Sequence, residues 1–133
     1  MIPDFDDNGN LPPGIHLATL EEIAARFGRG SENRRAEVES LHWLVDLAVR
    51  AGVQRLVING SFVTDTIDHN DVDCVLLAPP EFPKDAAVEK ELLKGRPFPD
   101  MALVDQADFD YFVIRFFSLD RMRKEKGLIE VIP

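Results

Sequence analysis

The stretch that decides the fold contains Gly60-Ser61-Phe62-Val63-Thr64, followed by Asp71-Val72-Asp73-Cys74-Val75-Leu76-Leu77. The apolar run 56–58 precedes Gly60 and predicts a buried strand that ends at this glycine. Residues 71–77 predict a second strand. Because alternate residues of a strand point to the same face, Asp71 and Asp73 share one face at its beginning. The sequence therefore predicts a Gly-Ser turn after one strand and two carboxylates at the start of the next.

These two features supply groups that handle a triphosphate. A glycine lets backbone N–H groups approach a phosphate, and the hydroxyl of Ser61 can donate to it. Asp71 and Asp73, with Cα atoms about 7 Å apart, repel each other, and a divalent cation keeps both ionised. Magnesium bridges phosphate oxygens, and a second ion activates an attacking hydroxyl. The pattern therefore favours transfer of a nucleotidyl group.

Helix caps and apolar spacing predict the helices that precede this stretch. Thr19-Leu20-Glu21-Glu22 forms a capping box, so a short helix should follow and end at Gly28. A second helix should begin after Ser31, reach about Arg50 and stop at Gly52. Its core-facing stripe recurs at spacings of three and four, and comprises Val38, Leu41, Leu44, Val45, Leu47 and Ala48.

Composition predicts the remaining elements less directly. Residues 1–17 are rich in proline, glycine and aspartate and predict loops, and residues 85–94 predict a polar helix. Residues 109–117 and 127–132 predict two more strands. The order of elements favours an α+β or mixed α/β fold with one sheet, in a single domain over residues 1–133.

Charge and composition limit the classes of partner. The 133 residues carry a formal net charge of −9, which disfavours duplex nucleic acid and favours a basic protein partner. No apolar run approaches the roughly 18 residues of a membrane span, and the acidic N-terminus does not resemble a signal peptide. The single cysteine, Cys74, should be an inert core thiol in a reducing compartment. We therefore expect a cytoplasmic protein that does not enter a membrane.

Gly60-Ser61, nine residues and Asp71-Val72-Asp73 resemble the G-S-x(n)-D-x-D motif of the polymerase-β-like nucleotidyltransferase superfamily. Further segments resemble a family of small bacterial proteins of unknown function. They are Ile2-Pro3-Asp4-Phe5, Leu11-Pro12-Pro13-Gly14-Ile15-His16, Ala18-Thr19-Leu20-Glu21-Glu22-Ile23, Arg26-Phe27-Gly28, Gly60-Ser61-Phe62-Val63-Thr64 and Lys126-Gly127. The resemblance covers nearly the whole chain and implies a minimal nucleotidyltransferase fold, with a central mixed β-sheet and helices packed mainly on one face.

The resemblance also implies a metal site and a nucleotide site. Magnesium, or manganese in its place, would be held by Asp71, Asp73 and a third carboxylate from a later strand. Asp110 is the preferred third ligand, Asp108 is the alternative, and Asp105 is a weaker candidate. A nucleoside triphosphate would lie against Gly60, Ser61 and Thr64.

One departure from the superfamily concerns the positive charge that meets the triphosphate. Active members place a lysine or arginine a few residues after Gly-Ser, whereas residues 62–69 contain Asp65, Asp68 and no base except His69. Bases elsewhere in the chain that could compensate are Arg55, Lys84 and Arg96.

Two functions remain open. The first is a magnesium-dependent enzyme that moves a nucleoside monophosphate from a triphosphate to a hydroxyl of a protein, an RNA or a small molecule. Small relatives of the fold act as antitoxins that modify a partner toxin, which makes a toxin–antitoxin pair one setting for it. The second is an inactive binding module, of antitoxin or immunity type, that neutralises a partner protein.

Overall fold

A five-stranded mixed sheet organises the chain in a computed structural model, which describes residues 2–7, 9–28, 32–59, 61–63, 72–78, 99–113 and 127–132. The elements in chain order are β1 (Gly14–Thr19), α1 (Leu20–Phe27), α2 (Glu32–Ala51), β2 (Arg55–Asn59), a 3-10 turn (Ser61–Val63), β3 (Val72–Leu77), β4 (Pro99–Val104), α3 (Gln106–Tyr111) and β5 (Gly127–Ile132). The strand order is β1-β5-β2-β3-β4. The pairs β1/β5 and β3/β4 are parallel, and β2 is antiparallel to both of its neighbours. The mixed α/β class predicted from the sequence is confirmed.

The helices pack on opposite faces of this sheet, with the two longer ones together. The side chains of α1 and α2 form one core with alternate residues of the strands, among them Ile58 and Leu76. Phe109 of α3 packs on the other face against Val57 and Val75. The predicted core-facing stripe of α2 is buried throughout. Within the described residues, no helix combines the length and the apolar character that a bilayer crossing requires.

The first strand contradicts the prediction of loops at residues 14–17 of the loop-rich segment 1–17. β1 lies beside β5, which comes from the far end of the chain. The N–H of Gly127 donates to the carbonyl of Leu11 (2.8 Å), and a Cβ at position 127 would clash with the carbonyl oxygen of Pro12. The strand therefore depends on a distant partner, which its proline-rich local sequence does not reveal.

The prediction of a strand over 109–117 is wrong for residues 109–113, which are helical. The side chain of Asp105 accepts a hydrogen bond from the N–H of Asp108 (2.9 Å) and caps α3. Phe109 and Val113 are both buried, and a separation of four residues is the spacing of one helix face. The aromatic and β-branched content of this segment serves a helix that packs on the sheet.

A strand that the sequence did not predict, β4, forms the edge of the sheet. Prolines at positions 97 and 99 argue against a strand, because proline cannot donate to a strand ladder. Pro99 is the first residue of an edge strand, where the missing N–H is tolerated. The helix predicted over 85–94, and positions 114–117 of the predicted strand, lie outside the described residues.

The predicted capping box at the start of α1 is confirmed. The N–H of Glu22 donates to Oγ1 of Thr19 (3.2 Å), and the N–H of Thr19 donates to Oε1 of Glu22 (3.2 Å). The hydrogen bond from the Thr19 backbone lowers the pKa of Glu22 below its ordinary value of 4.5. The contribution of this carboxylate to stability is therefore complete above about pH 4.5 and is lost as the pH falls through the lower folded value.

Removing the Thr19 hydroxyl should destabilise the protein measurably. We expect Thr19→Ala to lower the free energy of unfolding at pH 7 by about 1 kcal/mol, because one N–H at the start of α1 loses its acceptor. Thr19→Ser keeps the hydroxyl and should remain close to the wild type. Urea unfolding of the three proteins measures the difference, and equal midpoints for the alanine and serine variants would contradict the capping role.

Candidate functional site

The pairing of three neighbouring strands aligns three polar residues at one end of the sheet. Asn59, the last residue of β2, is in register with Asp73 of β3. Asp73 is in turn in register with Asp100 of β4. Positions in register belong to the same face of a pleated sheet, and neighbouring strands lie about 5 Å apart. We call Asn59, Asp73 and Asp100 the polar row.

The polar row lies at the end of the apolar packing under α3. Val75 and Leu77 follow Asp73 at alternate positions of β3, and both are buried in the core that includes Phe109. Asp73 itself is half-buried. The prediction that a carboxylate begins β3 at the edge of a core is therefore confirmed for Asp73, whereas Asp71 lies outside the described residues.

Asn59 is the most unusual member of the row. The residue is 5% exposed, and its oxygen Oδ1 is buried with no hydrogen-bond partner among the described residues. Buried polar atoms in folded proteins are nearly always paired, and leaving one unpaired costs about 1–3 kcal/mol. Within the described ranges, an oxygen acceptor without a donor therefore lies beside the strand that carries Asp73.

Buried side chains of α1 and α2 contact the 3-10 turn that follows β2. Phe62 is fully buried, and its ring lies 5.7 Å from the ring of Phe27, centroid to centroid. The guanidinium of Arg34 donates to the carbonyl of Phe27 (2.9 Å) and to the carbonyl of Phe62 (3.2 Å). Arg34 is only 7% exposed, so it joins α2, the end of α1 and the turn. Arg34 thereby fixes the backbone of the 3-10 turn at Phe62, three residues after Asn59 of the polar row.

The structure places the two leading candidates for the third ligand in a helix, and the weaker candidate, Asp105, at its N-cap. Asp108 and Asp110 both belong to α3 and are exposed. Asp110 accepts a hydrogen bond from Nε2 of Gln106 (2.9 Å), and its charge acts on Arg55. Arg55 is in strand register with Leu77, the last residue of β3, which lies about 13 Å along that strand from Asp73. Asp110 was chosen because a strand was predicted over 109–117. Residues 109–113 are helical instead, so the role of Asp110 as a metal ligand stays a prediction.

The predicted metal triad is only partly described. Within the described ranges, no three His, Cys, Asp or Glu side chains come close enough to hold a metal ion. Of the predicted triad, Asp71 lies outside those ranges, as do Gly60 and Thr64 of the nucleotide site. The structure therefore brings Asp73 and the backbone of Ser61 to one end of the sheet and leaves the complete set as a proposal.

Arg55 is one of the bases that could compensate for the missing loop lysine, but it forms an ion pair with Glu130. Its Nε donates to Oε1 of Glu130 (3.1 Å), and its guanidinium lies 4.9 Å from the centre of the Phe109 ring. The hydrogen bond to Glu130 raises the pKa of Arg55, so the arginine stays charged. It occupies the end of β2 opposite to Asn59. The other bases that could compensate, Lys84 and Arg96, lie outside the described residues, as does His69 of the loop.

Sequence reasoning missed two members of the polar row. Asp100 stands before the apolar run 101–104, as Asp73 stands before 74–77, and this parallel was a usable signal. The prolines at positions 97 and 99 argued against a strand there and so hid the parallel. Asn59 stands directly before Gly60, where a polar residue ends an otherwise apolar strand. Its importance depends on burial, which the sequence alone does not state.

Comparisons with known proteins identify a family and one similar structure. A crystal structure of a protein from Sulfolobus solfataricus, described as a "putative nucleotidyltransferase", matches with a TM-score of 0.44 and 14% identity, covering 74% of this chain and 96% of that one. A likeness this remote carries no argument about activity. No curated protein matches the chain significantly. A family model matches residues 3–132, in agreement with the resemblance to a family of unknown function, and the chain belongs to the family of unknown function DUF6932.

Proposed function

We propose that the protein is a magnesium-dependent nucleotidyltransferase, which moves a nucleoside monophosphate from a triphosphate to a hydroxyl group of a protein, an RNA or a small molecule and releases pyrophosphate. The observation that carries this proposal is the register of Asn59 with Asp73. It puts a carboxylate of β3 beside the end of β2, directly before Gly60-Ser61. A phosphate-binding turn and a metal-binding carboxylate then belong to the same end of one sheet.

The oxygen donors of this end of the sheet fit a divalent cation. Asp73 and Asp100 are in register on adjacent strands, and the orphaned oxygen of Asn59 lies in the same row. Hard cations such as Mg²⁺ prefer carboxylate and amide oxygens. We assign the ion to Asp71, Asp73 and Asp100, with Asp100 in the place first given to Asp110. When bound, the ion neutralises phosphate charge and activates the attacking hydroxyl.

The chain's own groups position the nucleotide. Backbone N–H groups of the turn after Gly60 would donate to phosphate oxygens, together with the hydroxyls of Ser61 and Thr64. Arg34 acts as a positioning residue, because its guanidinium is buried and already donates to two carbonyls. A turn that is anchored before the nucleotide binds loses less conformational entropy on binding.

The acceptor that we propose first is a basic protein. The formal net charge of −9 repels other acidic molecules and attracts a basic surface, which suits a toxin partner of an antitoxin. In this setting the chain itself would modify the toxin. An inactive module that neutralises the same partner by binding alone is the competing function.

Label transfer tests the proposal directly. The purified protein is incubated with each labelled nucleoside triphosphate, Mg²⁺ or Mn²⁺, and acceptors that include basic proteins, RNA and small hydroxyl compounds. We expect labelled acceptor with the wild type and a loss of about a thousandfold in Asp71→Asn/Asp73→Asn, since a catalytic metal supplies several kcal/mol and each 1.36 kcal/mol is tenfold in rate. Asp46→Asn, an exposed acid on α2, is the matched control.

Two results would contradict the proposal in different ways. Transfer that survives in the double variant would remove the metal assignment. If no triphosphate labels any acceptor while a basic partner binds tightly, the protein is a binding module and not an enzyme.

A further inference from the structure

In the described part of the chain, no hydrogen bond accounts for the buried side-chain oxygen of Asn59. The residues that precede it in β2, namely Leu56, Val57 and Ile58, are apolar and buried. An apolar side chain at position 59 would continue this packing without burying an amide. Asn59 instead brings an oxygen acceptor into a site that is 95% shielded from solvent and offers no donor among the described residues. A protein retains an unpaired buried polar atom most readily where function requires it.

The register of β2 with β3 shows which residue lies beside Asn59. It is paired with Asp73 across an antiparallel ladder, where opposite Cβ atoms lie about 5 Å apart on the same face. Side chains at this separation can direct one oxygen each to a single ion, whose ligand distances are about 2.1 Å for Mg²⁺. A neutral amide adds a ligand without adding to the repulsion between neighbouring carboxylates.

We propose that Oδ1 of Asn59 is a direct ligand of a divalent cation that it shares with Asp73. The inference rests on the proposed function, because the cation is the one that the transferase requires. Oδ1, which has no hydrogen-bond partner among the described residues, would then have the cation as its partner. Burial also shields the ligand from competing water, which favours the cation once it is bound.

Metal binding without nucleotide tests this assignment. Mn²⁺ alone is titrated into the full-length wild type, Asn59→Leu and Asn59→Asp, with affinity measured by calorimetry and by the electron paramagnetic resonance signal of free Mn²⁺. We expect Asn59→Leu to weaken Mn²⁺ binding about 10- to 100-fold. Asn59→Asp should retain Mn²⁺ binding, because aspartate keeps an oxygen at the same place in the side chain. Gln54→Leu, the same change at an exposed amide just before β2, should bind as the wild type does.

Thermal unfolding of the metal-free proteins separates a ligand from a structural residue. If Asn59 is a ligand, Asn59→Leu should unfold at the same or a higher temperature than the wild type, because it removes an unpaired buried oxygen. If Asn59 is structural, the variant unfolds at a lower temperature with unchanged Mn²⁺ affinity, and the inference is overturned. Asn59→Val, which suits a strand, provides a second variant should the leucine not fold.

The outcomes for Asn59 and for the transferase are distinguishable. If the wild type binds no Mn²⁺ at millimolar concentration, the assignment of Asn59 fails. Wild-type label transfer together with wild-type Mn²⁺ affinity in Asn59→Leu refutes the ligand and leaves the transferase standing. Loss of Mn²⁺ affinity in Asn59→Leu without any label transfer by the wild type supports the metal site and refutes the enzyme.

Discussion

An Asp100→Asn variant is expected to transfer label about a thousandfold more slowly than the wild type, and Asp110→Asn is expected to lose far less. The register of β3 and β4 aligns Asp100 with Asp73, so the two positions occupy one face at one end of the sheet. Under the proposed function Asp100 is a metal ligand, and its loss would withdraw several kcal/mol of transition-state stabilisation, each 1.36 kcal/mol being tenfold in rate.

The surroundings of Asp110 explain the smaller effect expected there. Its carboxylate is exposed, accepts from Gln106 and interacts with Arg55, which belongs to the end of β2 opposite to Asn59. Initial rates of label transfer at saturating Mg²⁺ measure both variants beside the Asp46→Asn control. A large loss in Asp110→Asn with an unaffected Asp100→Asn would restore the assignment that the sequence suggested.

An Arg34→Met variant should be the most destabilised of the single substitutions considered. Methionine leaves the carbonyls of Phe27 and Phe62 without their buried donor, and each unpaired group costs about 1–3 kcal/mol. It also removes the contact of the guanidinium with the Phe62 ring, whose centre lies 5.7 Å away. We expect a loss of about 3 kcal/mol in the free energy of unfolding, which corresponds to roughly 10 °C in melting temperature for a domain of this size.

The neighbouring arginine supplies a matched control for this measurement. Arg35 follows in the same helix and is exposed, so Arg35→Met should lie within about 0.5 kcal/mol of the wild type. Arg34→Lys should be intermediate, because a lysine keeps the charge but not the planar set of donors. Equal melting temperatures for Arg34→Met and Arg35→Met would contradict the anchoring role of Arg34.

Elements with local signals were predicted correctly. The hydrogen bonds of the Thr19 capping box involve residues three positions apart, and Gly28 ends α1 as expected. The buried stripe of α2 from Val38 to Ala48 could be predicted because apolar residues recur at the helical period within one continuous segment. β2, β3 and β5 are apolar runs that end at glycine or proline signals, so their positions were also predictable.

Elements that depend on distant partners were not predicted. β1 exists by pairing with β5, and β4 tolerates Pro99 because it is an edge strand. Phe109 has the composition of a strand residue, but it is helical because Asp105 caps α3 and the sheet offers an apolar face. In each case tertiary context overrides the local preference.

The sequence by itself determined the motif-bearing strands, the capped helices and the identity of the residues around Gly60-Ser61 and Asp73. These depend on the order of neighbouring residues and on the period of each element. Only the tertiary structure decided that Asn59 and Asp100 flank Asp73, and that Arg34 is buried beneath the turn. The physical reason is register. Pairing across strands brings together residues that are far apart in the chain, and it is specified by packing over the whole sheet.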